Sequence, residues 1–235
     1  MNSHFFRFPH TPHLAWLSDG PVRADKIFTP QEIDHFLAKP VAIEEKVDGA
    51  NIGFSLDPHG LLQVQQRGDY LQPPFIGQFK GLTSWLVMHS PSMEAFLHEP
   101  QHRGLILFGE WCAARHSLAY NHLPDPFLLF DIADPHQQRF WSRLRRNAIA
   151  NQLGIAIVPL LQDNGHHSIE DLRREIHHFR SHYHPGAPEG VILRQDDPRW
   201  CLARAKLVRA DFSQAIDDHW RSRPLEWNGI DYSVR

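Results

Sequence analysis

Glu45-Lys46-Val47-Asp48-Gly49-Ala50-Asn51 carries the densest chemistry in the chain and sits where one strand ends and the next begins. Val41 to Lys46 reads as the first of these strands. Lys46 and Asp48 are two apart at its end, so both can face one side. Gly49 allows a sharp turn or a close approach to a ligand, and Asn51 offers both a donor and an acceptor. A charged strand running into a turn would look the same in isolation. Downstream, Asn51–Leu56 and Leu61–Arg67 read as strands joined by Asp57-Pro58-His59-Gly60, a turn by composition. The segment is therefore a three-strand meander.

Outward from this meander the elements alternate. Thr29-Pro30-Gln31-Glu32 reads as a helix start, with a Thr cap, Pro at the first position and Glu three after the cap. That helix runs to about Lys39 and stops before Pro40. Phe79–Met88 and Ser92–His98 have helical apolar spacing. Leu105–Glu110 and Phe127–Ile132 suit buried strands, and Trp141–Leu153 and Ile169–Tyr183 read as amphipathic helices. Gly190–Arg194 and Trp200–Val208 read as strands, and Asp211–Trp220 as a last helix. The pattern predicts an α+β fold with a mostly antiparallel sheet. About 29 residues follow Lys206, too few for another independent domain of usual size, so one domain over 1–235 is expected.

Composition narrows the class. The 235 residues are 42% hydrophobic and 22% charged, which allows a core and argues against disorder. No apolar stretch is long enough to span a bilayer, and the start, Met1 to Arg7, does not read as a secretory signal. Two cysteines, Cys112 and Cys201, make no disulfide framework, so a cytoplasmic protein with buried structural thiols is expected. The net charge of −3 does not advertise nucleic-acid binding. Yet Arg143, Arg145, Arg146, Arg173, Arg174, Arg180, Arg194, Arg199, Arg204 and Lys206 make the second half locally cationic, a face that can bind phosphates. His166, His167, His177, His178, His182 and His184 read as solvated histidines, since no Cys lies nearby and the spacing fits no zinc finger. Phe5, Phe6, Phe8 and Trp16 read as core rather than as a base-stacking platform.

Acids recur on strands that look buried. Phe108-Gly109-Glu110-Trp111 ends one strand with a carboxylate, Phe127-Leu128-Leu129-Phe130-Asp131-Ile132 carries one inside, and Glu189-Gly190-Val191-Ile192-Leu193-Arg194 opens with one. Arg204-Ala205-Lys206 then places two cations at strand period. Buried charges are costly unless they are paired or bound to a ligand.

The ordered set Lys-x-Asp-Gly, Gly-Glu, Phe-Asp-Ile, Glu-Gly-Val and Arg-x-Lys resembles the covalent nucleotidyltransferases: DNA ligases, RNA ligases and mRNA capping enzymes. It spans Glu45 to Arg209. The first motif, and Gly109-Glu110-Trp111 followed by Ala114 to Tyr120, make it most similar to ATP-dependent RNA ligases of the second phage type and their bacterial relatives. The resemblance implies an adenylation domain of two largely antiparallel sheets flanked by helices, with the nucleotide in the groove between them. It implies ATP as co-substrate, with AMP carried covalently on Lys46, and Mg²⁺ or Mn²⁺, because only carboxylates, phosphates and water are on offer. By the same resemblance, Lys46, Asp48 and Lys206 are catalytic. Glu45 serves adenine through its backbone, Asn51 and Arg67 lie near the phosphate and the nucleic-acid end, and Glu110 binds ribose. Phe130 stacks on adenine, Glu189 holds the metal directly or through water, and Arg204 and Lys206 contact the transferred phosphates. Relatives usually have Lys at the position of Arg204.

A lysine nucleophile must be neutral although its reference pKa is about 10.4. Arg204, Lys206 and a metal are expected to depress it. The expected substrate is a nucleic acid, preferably RNA, with a 5′-phosphate and a 3′-hydroxyl. The alternatives are the adenylation domain of a DNA ligase, and a non-catalytic nucleic-acid-binding module that retains the fold. DNA ligases and capping enzymes usually carry an OB domain after the last motif; none is expected here, and a protein partner could supply such an accessory module.

Overall fold

The computed structural model describes residues 5–18, 27–214 and 224–234. Its centre is a single ten-stranded antiparallel sheet. In chain order the strands are β1 (Val41–Lys46), β2 (Ala50–Leu56), β3 (Leu62–Gln66), β4 (Tyr70–Leu71), β5 (Ile106–Trp111), β6 (Phe127–Asp134), β7 (Arg139–Trp141), β8 (Leu160–Gly165), β9 (Gly190–Asp196) and β10 (Trp200–Val208). They lie side by side in the order β4-β3-β2-β5-β6-β7-β10-β9-β1-β8. The expectation of two sheets is corrected here. The short β7 pairs with β6 through Ala133 and Asp134 and with β10 through Trp200 and Cys201, welding the halves into one hydrogen-bonded surface. Among the described residues the two largest apolar clusters stay separate. One gathers Phe54, Trp85, Phe96, Leu107, Phe127 and Trp141, and the other gathers Leu14, Val41, Ile43, Leu172, Val191 and Leu207.

Five helices are described: α1 (Pro30–Leu37), α2 (Leu82–His98), α3 (Arg143–Leu153), α4 (Ile169–Glu175) and α5 (Ala210–Gln214). At α1 the capping box forms as expected: the Glu32 N–H donates to Thr29 Oγ1 at 3.3 Å, and the Thr29 N–H donates to Glu32 Oε2 at 2.7 Å. The break expected between Met88 and Ser92 is absent. α2 runs through Pro91, because burial of Leu82, Trp85, His89, Met93, Phe96 and Leu97 along one side offsets the bond that Pro91 cannot make. The helix expected over Ile169–Tyr183 ends at Glu175. Downstream, the buried Glu45 carboxylate accepts from Ser181 Oγ and from the His182 N–H, drawing that segment into a loop. Of the helix expected over Asp211–Trp220, α5 accounts for the start, and residues 215–220 lie outside the described residues.

Candidate active site

β1 and β2 meet at the Lys46–Asn51 segment, and this junction opens into a cleft of about 490 Å³. Glu45, Lys46, Asp48, Asn51, Arg67, Glu110, Phe130, Arg204 and Lys206 all line it. Glu189, just before β9, stands directly behind the lysine. The junction is tight at Gly49, where a Cβ would come within 2.5 Å of the Trp111 carbonyl oxygen. Only glycine fits, and its N–H donates to Glu110 Oε1 at 3.1 Å.

Around Lys46 the acids dominate. Its Nζ donates to Glu189 Oε2 at 2.6 Å. Burial alone would lower the lysine pKa, but Glu189, then Glu110 and Asp48, outweigh it and hold the ammonium above its ordinary 10.5. The expectation that neighbouring cations depress Lys46 is overturned in this state. Arg204 is engaged elsewhere, paired with Asp131 Oδ2 and stacked with its Cζ 4.6 Å from the Phe8 ring centre and 4.0 Å from that of Phe140. Burial in turn pushes Glu189 up, and it pushes Glu110 to about 8, more than Lys46 pulls it back.

Asp48 holds the frame of the site as well as facing the cleft. Its Oδ2 accepts from the Ser117 and Leu118 N–H groups at 2.7 and 3.3 Å, and its own N–H donates to the Tyr120 hydroxyl at 2.8 Å. Glu45 turns its carboxylate away, into the 181–182 loop, while its N–H donates to the Pro159 carbonyl at 2.9 Å. Asn51 Oδ1 is buried without a hydrogen-bond partner among the described residues, an acceptor left for a ligand. Phe130 is half-buried and meets Phe8 edge-on at 5.1 Å between ring centres.

Several lining residues were not assigned to a site by the sequence. Phe8, Pro9 and Thr11 come from an N-terminal segment that crosses to β10, where the Lys206 N–H donates to the Pro12 carbonyl at 2.8 Å and the Leu14 N–H to the Lys206 carbonyl at 2.7 Å. Phe8 therefore serves both core and cleft. His13, beside that pairing, is driven to about 4 by burial, then by Lys206 and Lys46. No periodicity marks such an irregular segment. His116, 3.9 Å from Asp48 Oδ1, also lines the cleft.

Part of the cationic half is internal: Arg143, Arg146 and Arg194 are buried, while Arg173, Arg174, Arg180 and Arg199 are exposed. Arg146 meets Glu44 at 2.6 Å with neither side chain more than 2% exposed, and Arg194 meets Asp131 at 2.7 Å. These arginines neutralise Glu44 and Asp131 in the cleft wall, where Arg194 itself lines the cavity, so their charge is already matched by acids. As for a metal, Glu189, Glu110 and Asp48 are hard oxygen donors of the kind Mg²⁺ or Mn²⁺ takes. No group of three or more His, Cys, Asp or Glu among the described residues is arranged to hold an ion. The residues fit an ion that brings phosphate and water oxygens with it.

Glu110 yields a stability prediction. An unfolded carboxyl titrates near 4.5 and the folded one near 8, so between these values the folded chain keeps a proton that the unfolded chain releases. Stability then falls as pH climbs through that window. Glu110→Gln keeps an acceptor for Gly49 and removes the titration. It should melt with wild type at pH 4.5 and progressively above it up to pH 8, measured by thermal denaturation across pH; a constant difference would show that Glu110 does not titrate there.

This geometry has relatives. Solved structures of a Naegleria gruberi RNA ligase share the fold. A variant with ATP and Mn has 18% identity and a TM-score of 0.60, over 81% of this chain and 55% of that one. The protein with PPi has 17% identity and 0.59, over 91% and 65%, and a variant with AMP and Mn has 16% and 0.57, over 93% and 65%. This chain thus spans between 55% and 65% of the length of those proteins. No curated protein matches it. No helix among the described residues is long and apolar enough to cross a membrane. The RNA ligase family matches residues 39–208, from the start of β1 to the end of β10 and so including every strand and every motif that builds the cleft; the chain belongs to the RNA ligase family.

Proposed function

We propose that this protein is an ATP-dependent RNA ligase that carries AMP on Lys46, transfers it to a 5′-phosphate end and joins that end to a 3′-hydroxyl. The observation that carries the reading is the amine of Lys46, buried in a cleft with Glu189 at 2.6 Å and with Glu110 and Asp48 acting on it. Lys46 attacks the α-phosphate; the N–P bond forms as the bond to pyrophosphate breaks. Before attack the amine must release its proton, and Glu189 Oε2 is the acceptor placed to receive it. A divalent ion, held by Glu189 directly or through water, would supply charge neutralisation at the transferred phosphate. Asn51, whose buried oxygen has no partner among the described residues, and Arg67 at the rim would serve the nucleotide phosphate and the polynucleotide end. Phe130 and the Glu45 backbone would take the adenine, Glu110 the ribose, and Lys206 and Arg204 the phosphates, with Arg204 first loosening from Asp131.

The test separates substrate classes. Incubation with Mg²⁺ and α-labelled ATP or GTP should label the protein from ATP only. Chasing the labelled protein with 5′-phosphorylated RNA should move the label to the RNA end and then release AMP as the strand is sealed to a 3′-hydroxyl. Equal transfer to DNA ends would replace the RNA reading by a DNA ligase, and binding without any label would leave a non-catalytic module.

A further inference from the structure

Three arginines gather at the end of the sheet where β7 meets β10. Arg139 is the first residue of β7, Arg145 lies in the first turn of α3, and Arg199 immediately precedes β10. Arg139 and Arg145 lie over two indoles, and the charge of Arg199 acts on Arg145. Arg145 Cζ lies 3.4 Å from the ring centre of Trp141 and 5.5 Å from that of Trp200, and Arg139 Cζ lies 5.5 Å from that of Trp200. Arg143, Arg146 and Arg194 nearby each hold a carboxylate. The guanidinium groups of Arg139, Arg145 and Arg199, by contrast, make no hydrogen bond or ion pair among the described residues. Arg145 Nη1 is buried with no acceptor.

The charges of two nearby acids act on the cluster, Asp197 with Arg139 and Arg199 and Asp134 with Arg145, but neither closes an ion pair with it among the described residues. Asp197 Oδ1 accepts from the Arg199 and Trp200 N–H groups at 2.7 and 2.6 Å, and Asp134 Oδ1 accepts from the Gln137 N–H at 3.1 Å. Burial and then the charge of Arg199 push Arg145 down from its ordinary pKa, so the cluster is electrostatically uneasy as it stands. Like charges held together with an unsatisfied donor call for an anion. Stacking on Trp141 fixes the plane of Arg145, which lowers the entropic cost of offering its fork to a phosphate. β10 reaches the cleft through Arg204, whose guanidinium stacks on Phe140 of β7. Four residues of strand separate Arg204 from Trp200, roughly 13 Å.

We propose that Arg139, Arg145 and Arg199 form a second nucleic-acid contact, a backbone-phosphate site that grips the RNA strand outside the catalytic cleft. The inference rests on the reading of the protein as acting on polynucleotide ends. It makes no claim on base identity, because the indole faces are already covered by guanidinium groups and phosphate contacts position without reading sequence.

The test is binding of a fluorescent 5′-phosphorylated RNA stem-loop over a salt series. Each duplex phosphate contact contributes about 0.9 to the slope of log K against log salt. Arg199→Glu, an exposed change, and the triple variant Arg139→Ala/Arg145→Ala/Arg199→Ala should both bind more weakly. The triple variant should flatten the slope by about 2 to 3 units. Arg173→Ala, an exposed arginine on α4, serves as the comparison and should keep the wild-type slope. Labelling with ATP is measured on every variant and should stay at the wild-type level, which also reports an intact fold. Wild-type slope and affinity in both cluster variants would overturn the phosphate site, as would wild-type protein that does not bind the stem-loop at any salt. Absence of label on wild type would instead sink the ligase reading, while the salt slopes would still decide the arginine cluster.

Discussion

Lys46→Met is expected to abolish covalent nucleotide labelling while leaving the protein folded. Methionine keeps the length and apolar stem of the side chain but has no amine to form a phosphoramide. β1 is held by Val41, Ala42 and Ile43, all buried, and by its pairing with β9 from Ala42 to Lys46, so the strand does not depend on the lysine head group. The acids left behind lose their cation, but burial raises Glu110 to about 8, so it can take up a proton near neutrality, and burial also raises Glu189 above the ordinary carboxylate range. Circular dichroism should therefore match wild type while the labelled band disappears from a denaturing gel. Wild-type labelling should also quicken with pH. Although burial favours the neutral amine, Glu189, Glu110 and Asp48 keep the lysine above 10.5, so the neutral fraction grows about tenfold per pH unit through the neutral range. Glu189→Gln removes the strongest of those charges and would release the proton more readily. If that carboxylate also serves the phosphate-bound ion, the Gln variant nevertheless labels more slowly than wild type. A Met variant that labels as well as wild type would place the nucleophile elsewhere.

Arg194→Ala is expected to be strongly damaging to stability. The Arg194 side chain is 1% exposed. Its Nη1 donates to Asp131 Oδ1 at 2.7 Å and to the Phe130 carbonyl at 3.2 Å, and its Nη2 donates to the Trp141 carbonyl at 3.1 Å. Glu44 Oε2 lies 3.7 Å from Nη1, and Asp196 Oδ1 3.6 Å from Nε. Burial opposes its charge, but Asp131 and the other acids push its pKa well above the ordinary value, so it stays a cation. Truncating one partner of a buried pair leaves uncompensated charge and costs about 3–5 kcal/mol. At roughly 2–4 °C per kcal/mol for a chain of this size, the melting temperature should drop by about 6–20 °C. Arg194→Lys should recover only part, because an ammonium cannot span Asp131 and two carbonyls at once. A melting temperature within a degree of wild type would mean that the acids in the cleft wall are balanced by Arg146 and Arg204 alone.

Much of the fold was legible because strand and helix periods are local. β1 and β10 have the bounds read from the sequence, Val41–Lys46 and Trp200–Val208, and the capping box at Thr29 fixes the start of α1. β4, β7 and β8 were missed. β4 is two residues long, β7 was absorbed into the helix expected from Trp141, and β8 is a polar edge strand, Leu-Leu-Gln-Asp-Asn-Gly, with little apolar signal. The expectation of two sheets came with the family resemblance, and β7 is the strand that joins them into one.

By itself the sequence determined which chemical groups the site contains, because spacing at a strand end and the order of the motifs are properties of the chain alone. Lys46, Asp48, Glu110, Glu189 and Lys206 could be named before any coordinate. Only the tertiary structure decided how those charges act on one another. Coulomb interactions depend on distance and burial, which sequence separation does not encode. Glu189 is 143 residues from Lys46 in the chain yet 2.6 Å from its amine, and that contact sets the sign of the lysine's shift. The same physics drew Arg146 and Arg194 inside to meet Glu44 and Asp131, and left Arg139, Arg145 and Arg199 at the edge with no ion pair among the described residues.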